Sequence, residues 1–233
     1  MIRLPSGAVL ISDIHSNLEA LEAVSTDMPR LPVYCIGDIV GYGASPVEVV
    51  QQMRMKDVSA VMGNHDYATC TGDTKWFNPE AATAVEWTKQ HISPAEIEYL
   101  QSLPLRRVVE IGGVKVLLVH GSPTDPLFEY VDPSTNEHLF NAYLTHYEAH
   151  IIAMGHTHVP FIWQGRNGYL VNPGSVGQPR TGNPEASYLV MWVEDQQVKF
   201  EHRTVPYDVK TAAEKIRQAG LPGFLAERLS RGI

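Results

Sequence analysis

Short apolar runs, most of them ending in or beside Asp, His or Asn, constrain this chain more than anything else in it. They are "AVLIS" (8–12), "VYCIG" (33–37), "SAVMG" (59–63), "KVLLVHG" (115–121), "HIIAMG" (150–155), "GYLVN" (168–172) and "SYLVMWV" (187–193). Several are apolar at consecutive rather than alternate positions, the pattern of strands covered on both faces. Between the first three runs lie "NLEALEAVSTDM" (17–28), with Asn17 as a helix N-cap, and "SPVEVVQQMRM" (45–55), opened by Ser-Pro. Strand, helix, strand, helix, strand through the first third requires a layered α/β core.

Residues 68–104 break that rhythm. There, "PEAATAVEWTKQHI" and "SPAEIEYLQSL" read as two helices, each with a proline near its start. Beyond residue 105 the chain is β-rich, with hairpins expected at "IGGVK" and "EDQQVK". A final helical segment (208–230) is interrupted by "GLPG". The expected architecture is mixed sheets packed face to face with helices outside, in a single domain spanning 1–233.

The net charge of −8 offers no basic surface for nucleic acid or an anionic membrane. Bound cations can nevertheless reverse the local field of an acidic chain. No apolar run approaches the ~18 residues that span a bilayer. The start of the chain, with Arg3 and Pro5, does not read as a signal peptide, so a cytoplasmic location is expected. Cys35 and Cys70 are then reduced core thiols.

Five polar clusters stand where the strands end: "SDIHSN" (12–17), "GDIVGYG" (37–43), "GNHD" (63–66), "VHGS" (119–122) and "MGHTHVP" (154–160). An extended chain with period two would point Asp13 and His15, and likewise His156 and His158, the same way. A lone histidine after a strand is usually structural. Five clusters in matching context make a mixed oxygen–nitrogen site suited to Mn, Fe, Zn or Ni rather than to a thiolate-preferring ion.

In their order and rough spacing, "DIH", "GDIVGYG", "GNHD", "HG" and "GHTH" resemble the calcineurin-like metallophosphoesterases, in particular their small prokaryotic phosphodiesterase and phosphatase members. The resemblance runs from about residue 8 to 176. It implies a four-layer α/β/β/α sandwich of two mixed sheets flanked by helices. It also implies two divalent transition-metal ions, manganese among the candidates. One would be held by Asp13, His15 and His158, the other by Asn64, His120 and His156, with Asp38 bridging them. His65 would face the substrate, and Asp66 would hold its other nitrogen; the structural alternative is that Asp66 caps the following turn. "NPGSVGQPR" (172–180) resembles a segment of the small prokaryotic members. There Asn172, Pro173 and Gly174 would shape a tight loop, and Arg180 is either a phosphate contact or a solvated arginine. Asn17 is divided in the same way between helix cap and a place beside the substrate. Phe128, Tyr130 and Trp76 either line the cleft or pack.

The implied chemistry is hydrolysis of a phosphodiester or phosphomonoester by a metal-bridging hydroxide. Two cations ~3.5–4 Å apart acidify a shared water and clamp the phosphoryl group, and His65 assists the leaving oxygen. The serine/threonine phosphatase members continue their second motif as Asp-Arg-Gly and end the third in Glu. This chain has "GDIVGYG" and "GNHD", so the gripping arginine is missing. It also has little room for the capping region of the nuclease members. A phosphodiesterase acting on a small, nucleotide-like ester is the expected function. The alternatives are a catalytically silent metal-binding scaffold for protein contacts, a metal-storage protein, a serine/threonine protein phosphatase and a dinucleoside polyphosphate hydrolase. His65 separates the enzymes from the scaffold and the storage protein, which have no use for it.

Overall fold

A computed structural model describes residues 6–132, 134, 137–194 and 197–233. The first half contains β1 (Ser6–Ile11), α1 (Leu18–Asp27), β2 (Val33–Cys35), α2 (Pro46–Met55), β3 (Ser59–Ala60), α3 (Asn64–Thr71), α4 (Pro79–His91), α5 (Pro94–Gln101) and β4 (Arg106–Ile111). The second contains β5 (Val114–Val119), α6 (Glu137–His146), β6 (Ile151–Ala153), β7 (Phe161–Gln164), β8 (Tyr169–Asn172), β9 (Ala186–Glu194), β10 (Gln197–Val205), α7 (Val209–Gln218) and α8 (Gly223–Arg231).

The strands form two mixed five-stranded sheets, in the orders β10-β9-β1-β2-β3 and β4-β5-β6-β8-β7. In the first, β1, β2 and β3 are parallel and β9 is antiparallel to β1. In the second, β5, β6 and β8 are parallel, with β4 and β7 antiparallel at the edges. Both sets of parallel strands therefore send their carboxyl-end loops out at one edge of each sheet, where open α/β sheets gather their ligands.

Burial on both faces explains the continuously apolar runs. On β1, Ala8 and Leu10 join Val116 and Leu118 of β5 in the layer between the sheets. Val9 and Ile11 instead meet Leu21, Val24, Val49 and Met53 of α1 and α2. On β5, Leu117 and Val119 pack outward on Phe140 and Leu144 of α6. Helices thus cover both outer faces, and the architecture is the α/β/β/α sandwich.

Several boundaries follow sequence signals. Asn17 caps α1 by accepting from Ala20 N at 3.1 Å, and Asn78 caps α4 at 2.8 Å with Pro79 behind it. The "IGGVK" hairpin turns at Gly112–Gly113 between β4 and β5. The "EDQQVK" hairpin joins β9 to β10, and its Asp195 and Gln196 lie outside the described residues. Ser45 departs from expectation, because its side chain makes no capping bond to α2. α6, β7 and the helical start at Asn64 carry no comparable signal. Cys35 is a free, buried thiol and Cys70 a free, half-buried one.

Candidate metal centre

The sheet edges bring six of the expected ligands into two overlapping groups. Ligand atoms of Asp13, His15, Asp38 and His158 lie within 4.8 Å of one another, as do those of Asp38, His120 and His156. Asn64 joins the second group through its Oδ1, 3.0 Å from His120 Nε2. Asp38 alone belongs to both groups; its Oδ2 is 3.6 Å from His15 Nε2 and 3.4 Å from His120 Nε2. All seven side chains are buried.

Backbone carbonyls fix the imidazole tautomers. The Nδ1–H groups of His15, His120 and His158 point to the carbonyls of Val40 (3.2 Å), Ile36 (2.7 Å) and Gln178 (2.6 Å). In the neutral rings each Nε2 then carries a lone pair turned inward. His156 is reversed: its Nε2–H meets Phe128 O at 3.2 Å, which leaves Nδ1 as the inward atom. His15 Nε2 and His158 Nε2 face each other at 3.1 Å, and the buried Asp13 Oδ1 has no hydrogen-bond donor. Among the described residues, Asp13 Oδ1 and the Nε2 atoms of His15 and His158 are thus acceptors without a donor, and such a set repels itself unless a cation joins it. The donor set therefore fits divalent metals.

The ligands do not converge as extended chain. Asp13, His15, Asp38, His156 and His158 have φ of 54°, 51°, 53°, 66° and 61°, all in the left-handed region. The period-two expectation is thereby corrected: β1 stops at Ile11 and β6 at Ala153, and the ligand loops coil against one another. Asp13 N donates to Gly37 O at 3.0 Å, His15 N to Asp38 O at 3.0 Å and Gly177 N to Asp13 O at 2.9 Å. Asp and His tolerate this region better than most side chains. Asn172 ties further loops together, donating to Gly155 O (2.7 Å) and Thr157 Oγ1 (3.1 Å).

Charge follows burial. Burial opposes ionisation of Asp38, yet the facing imidazole of His120 holds its carboxyl below the usual range. Burial depresses His15, His158 and His156, the last to about 3, and so keeps them in the neutral, ligating form. His120 differs. Burial pulls it down, but Asp38 and Asp13 together raise it to about 9. Below that pH the metal-free protein carries a proton on His120, and a metal must displace it. Manganese binding at pH 8 is thus expected to release about one proton per chain, with release fading as the pH rises past about 9. Calorimetric titration in two buffers of different ionisation enthalpy measures it; zero release at pH 8 would remove His120 from the ligand set.

"GNHD" is the start of a helix. Asn64, His65 and Asp66 form the first turn of α3, with Gly63 as its N-cap. A Cβ on Gly63 would stand 2.0 Å from Asp38 Oδ1, so this position admits no side chain. The expected bond from Asp66 to His65 is not made. Asp66 accepts from Val40 N and Gly63 N, each at 3.0 Å, so it closes the helix cap and fastens it to the loop after β2. Burial and then Asp38 raise its carboxyl to about 7.

His65 stands beside the ligands, its ring centroid 4.8 Å from His15, 4.4 Å from Tyr42 and 4.7 Å from Phe77. Its Nδ1 is buried without a partner. Gly41, at φ 95°, presses against it, and a Cβ there would meet Nδ1 at 2.4 Å. Burial foremost lowers His65 to about 4.

The remaining candidates divide. Asn17 uses its amide internally, capping α1 and donating to Gly177 O at 2.9 Å and Tyr207 Oη at 3.3 Å, so it is a positioning residue without a free group for substrate. Arg180 is half-buried beside the site. Phe128 contributes its carbonyl, while Tyr130 stacks on His156 at 3.9 Å. Trp76 is largely exposed, its ring 6.3 Å from Phe128. Sequence reasoning passed over Arg228, and it gave no role to Phe77 of "KWF" (75–77) or Gln178 of "NPGSVGQPR". Tyr42 lay within the quoted "GDIVGYG" without a role.

The profile of the calcineurin-like phosphoesterase superfamily domain matches residues 8–196. An uncharacterized protein of Methanocaldococcus jannaschii is 40% identical, covering 96% of this chain and 97% of its own. The crystal structure of a metallophosphoesterase from Sphaerobacter thermophilus superposes with TM-score 0.83 at 34% identity, over 99% of this chain and 100% of that one. A hypothetical protein from Pyrococcus horikoshii superposes with TM-score 0.87 at 22% identity, over 97% and 98% of the two chains, and speaks for the fold alone. The chain belongs to the calcineurin-like phosphoesterase superfamily.

Proposed function

We propose that the chain is a phosphodiesterase of small, nucleotide-like esters that uses two divalent metal ions. The observation carrying this reading is the inward set of buried Asp and His ligand atoms, in which Asp13 Oδ1 has no donor among the described residues, with the imidazole of His65 beside it. Asp13, His15 and His158 would hold one ion, Asn64, His120 and His156 the other, and Asp38 would be shared. When bound, the ions supply Lewis acidity and an activated water.

This chain's own groups do the rest. His65 donates an N–H to a phosphate oxygen. In its protonated form the same ring can pass a proton to the leaving oxygen. Asp66 acts through position: by fixing Gly63 N and Val40 N it sets the first turn of α3, and so the directions of Asn64 and His65. The aromatic walls, Tyr42 and Phe77, confine the ring.

The second motif lacks an arginine, so the scissile phosphate is gripped chiefly by the ions and His65. A monoester dianion gains more from extra fixed cations than a diester monoanion does. We therefore expect kcat/KM for bis(p-nitrophenyl) phosphate to be at least equal to that for p-nitrophenyl phosphate at the same Mn²⁺ concentration. A monoester preference beyond about tenfold (~1.4 kcal/mol) would overturn the diesterase reading.

A further inference from the structure

Two guanidinium groups stand close to the metal cluster without a side-chain carboxylate partner among the described residues. Among the described residues, the arginines that pair with side-chain carboxylates are Arg203 and Arg217, not Arg180 or Arg228. Arg228 comes from α8, far along the chain from every motif. Its Cζ lies 5.6 Å from the Tyr42 ring centroid and 5.4 Å from that of Phe224. Tyr42 in turn lies 4.4 Å from His65 and 4.6 Å from His15, so Arg228 is one aromatic ring removed from the reacting groups. Its Nε is anchored on Ile233 O at 2.6 Å, which fixes the head and leaves the terminal nitrogens for other partners.

Arg180 approaches from the loop after β8. Its Nη2 donates to Gln178 Oε1 at 3.3 Å, and the carbonyl of that same Gln178 orients His158. Its Nε is buried without a partner. Burial first, and the charge of Arg180 next, hold Arg228 below its ordinary range, while the hydroxyls of Tyr42 and Tyr130 favour its charged form. A chain of net charge −8 thus sets two mutually repelling cations and two phenols beside its metal site. Half-buried like charges are costly unless an anion joins them. Arginine is the side chain best shaped to hold phosphate through paired N–H groups.

We propose that Arg180 and Arg228, with the hydroxyls of Tyr42 and Tyr130, form a subsite for a second, non-scissile phosphate, so that the natural substrate carries two phosphate groups. This rests on the phosphodiesterase reading and narrows its substrate class. The second phosphate comes either through an anhydride link or on a sugar hydroxyl.

Competitive inhibition of bis(p-nitrophenyl) phosphate hydrolysis, with Mn²⁺ in excess, separates the two sources. The probes are thymidine 5′-monophosphate, thymidine 5′-diphosphate and thymidine 3′,5′-bisphosphate. At least one two-phosphate probe should bind tenfold or more tightly than the monophosphate. In Arg228→Gln, and separately in Arg180→Gln, that ratio should fall below threefold. Each ratio is taken within one variant, so partial loss of folded protein cancels; the loop variant serves if the helix variant fails to fold. A ratio near one in the unaltered protein, or a ratio that survives both substitutions, overturns the subsite. Should bis(p-nitrophenyl) phosphate not be hydrolysed at all, the diesterase reading fails by itself. Equilibrium dialysis of the same three nucleotides then decides the subsite against the same ratios.

Discussion

Replacing His65 by alanine is expected to lower kcat on bis(p-nitrophenyl) phosphate by about 10²–10⁴-fold, the usual scale for a general acid, while the metals stay bound. The imidazole belongs to neither group of converging acceptors. Its ring is enclosed by Tyr42 and Phe77, and no group among the described residues partners its buried Nδ1. Removing it therefore takes away a group that meets substrate, not one that the fold's hydrogen bonding requires. Alanine suits the first turn of α3, and Asp66 still closes the cap at Gly63. Metal analysis beside steady-state kinetics makes the distinction. If the variant loses metal in step with activity, His65 is a ligand and the proposed division of roles is wrong.

The second large effect belongs to Asp38→Asn. The amide keeps an oxygen for the bond from His65 N, which Asp38 Oδ1 accepts at 2.9 Å, and asparagine tolerates φ near 53°. What disappears is one negative charge shared by both acceptor groups. Loss of an outer partner of a ligand already weakens metal sites about 10–100-fold, so loss of the shared carboxylate should weaken at least one ion by about 100-fold or more. The unaltered chain reconstituted with Mn²⁺ should approach two ions, and the variant at micromolar metal at most one. Metal binding to the folded state raises the unfolding temperature, so the Mn²⁺-dependent part of that rise should shrink accordingly. Two ions and a full thermal shift in the variant would show that Asp38 is not shared.

Sequence alone carried the layered architecture because its signals are local. Ala8 to Ile11 are apolar without alternation, and the structure buries one pair between the sheets and the other under α1 and α2. The prolines ahead of α4 and α5 marked helices that formed where expected. α3 escaped notice because its first turn is polar throughout, Asn64-His65-Asp66, and shows no apolar period. The same polarity suggested a His65–Asp66 pair, whereas helical geometry turns Asp66 back to the cap. The left-handed loops were hidden too, since the sign of φ at Asp13 or His158 is imposed by neighbouring loops rather than by residue type. Arg228 had no sequence signal at all. Only the folding of α8 onto Tyr42 gives it a place near the cluster.

The left-handed backbone has a consequence for recognising relatives that have given up the chemistry. At Asp13, His15, Asp38, His156 and His158, with φ between 51° and 66°, the backbone favours glycine or side chains such as Asp, Asn and His, although Ser16 and Tyr42 adopt the same region. Backbone preference therefore favours residues that look like ligands, independently of any pressure to bind metal. An alanine scan at these positions would measure backbone strain together with lost coordination, whereas asparagine or glycine would measure coordination with less strain added. His65 is free of this confusion, because it lies in the right-handed turn of α3, where many residues would fit. Its retention or loss is the more telling mark of whether a similar chain still acts on a substrate.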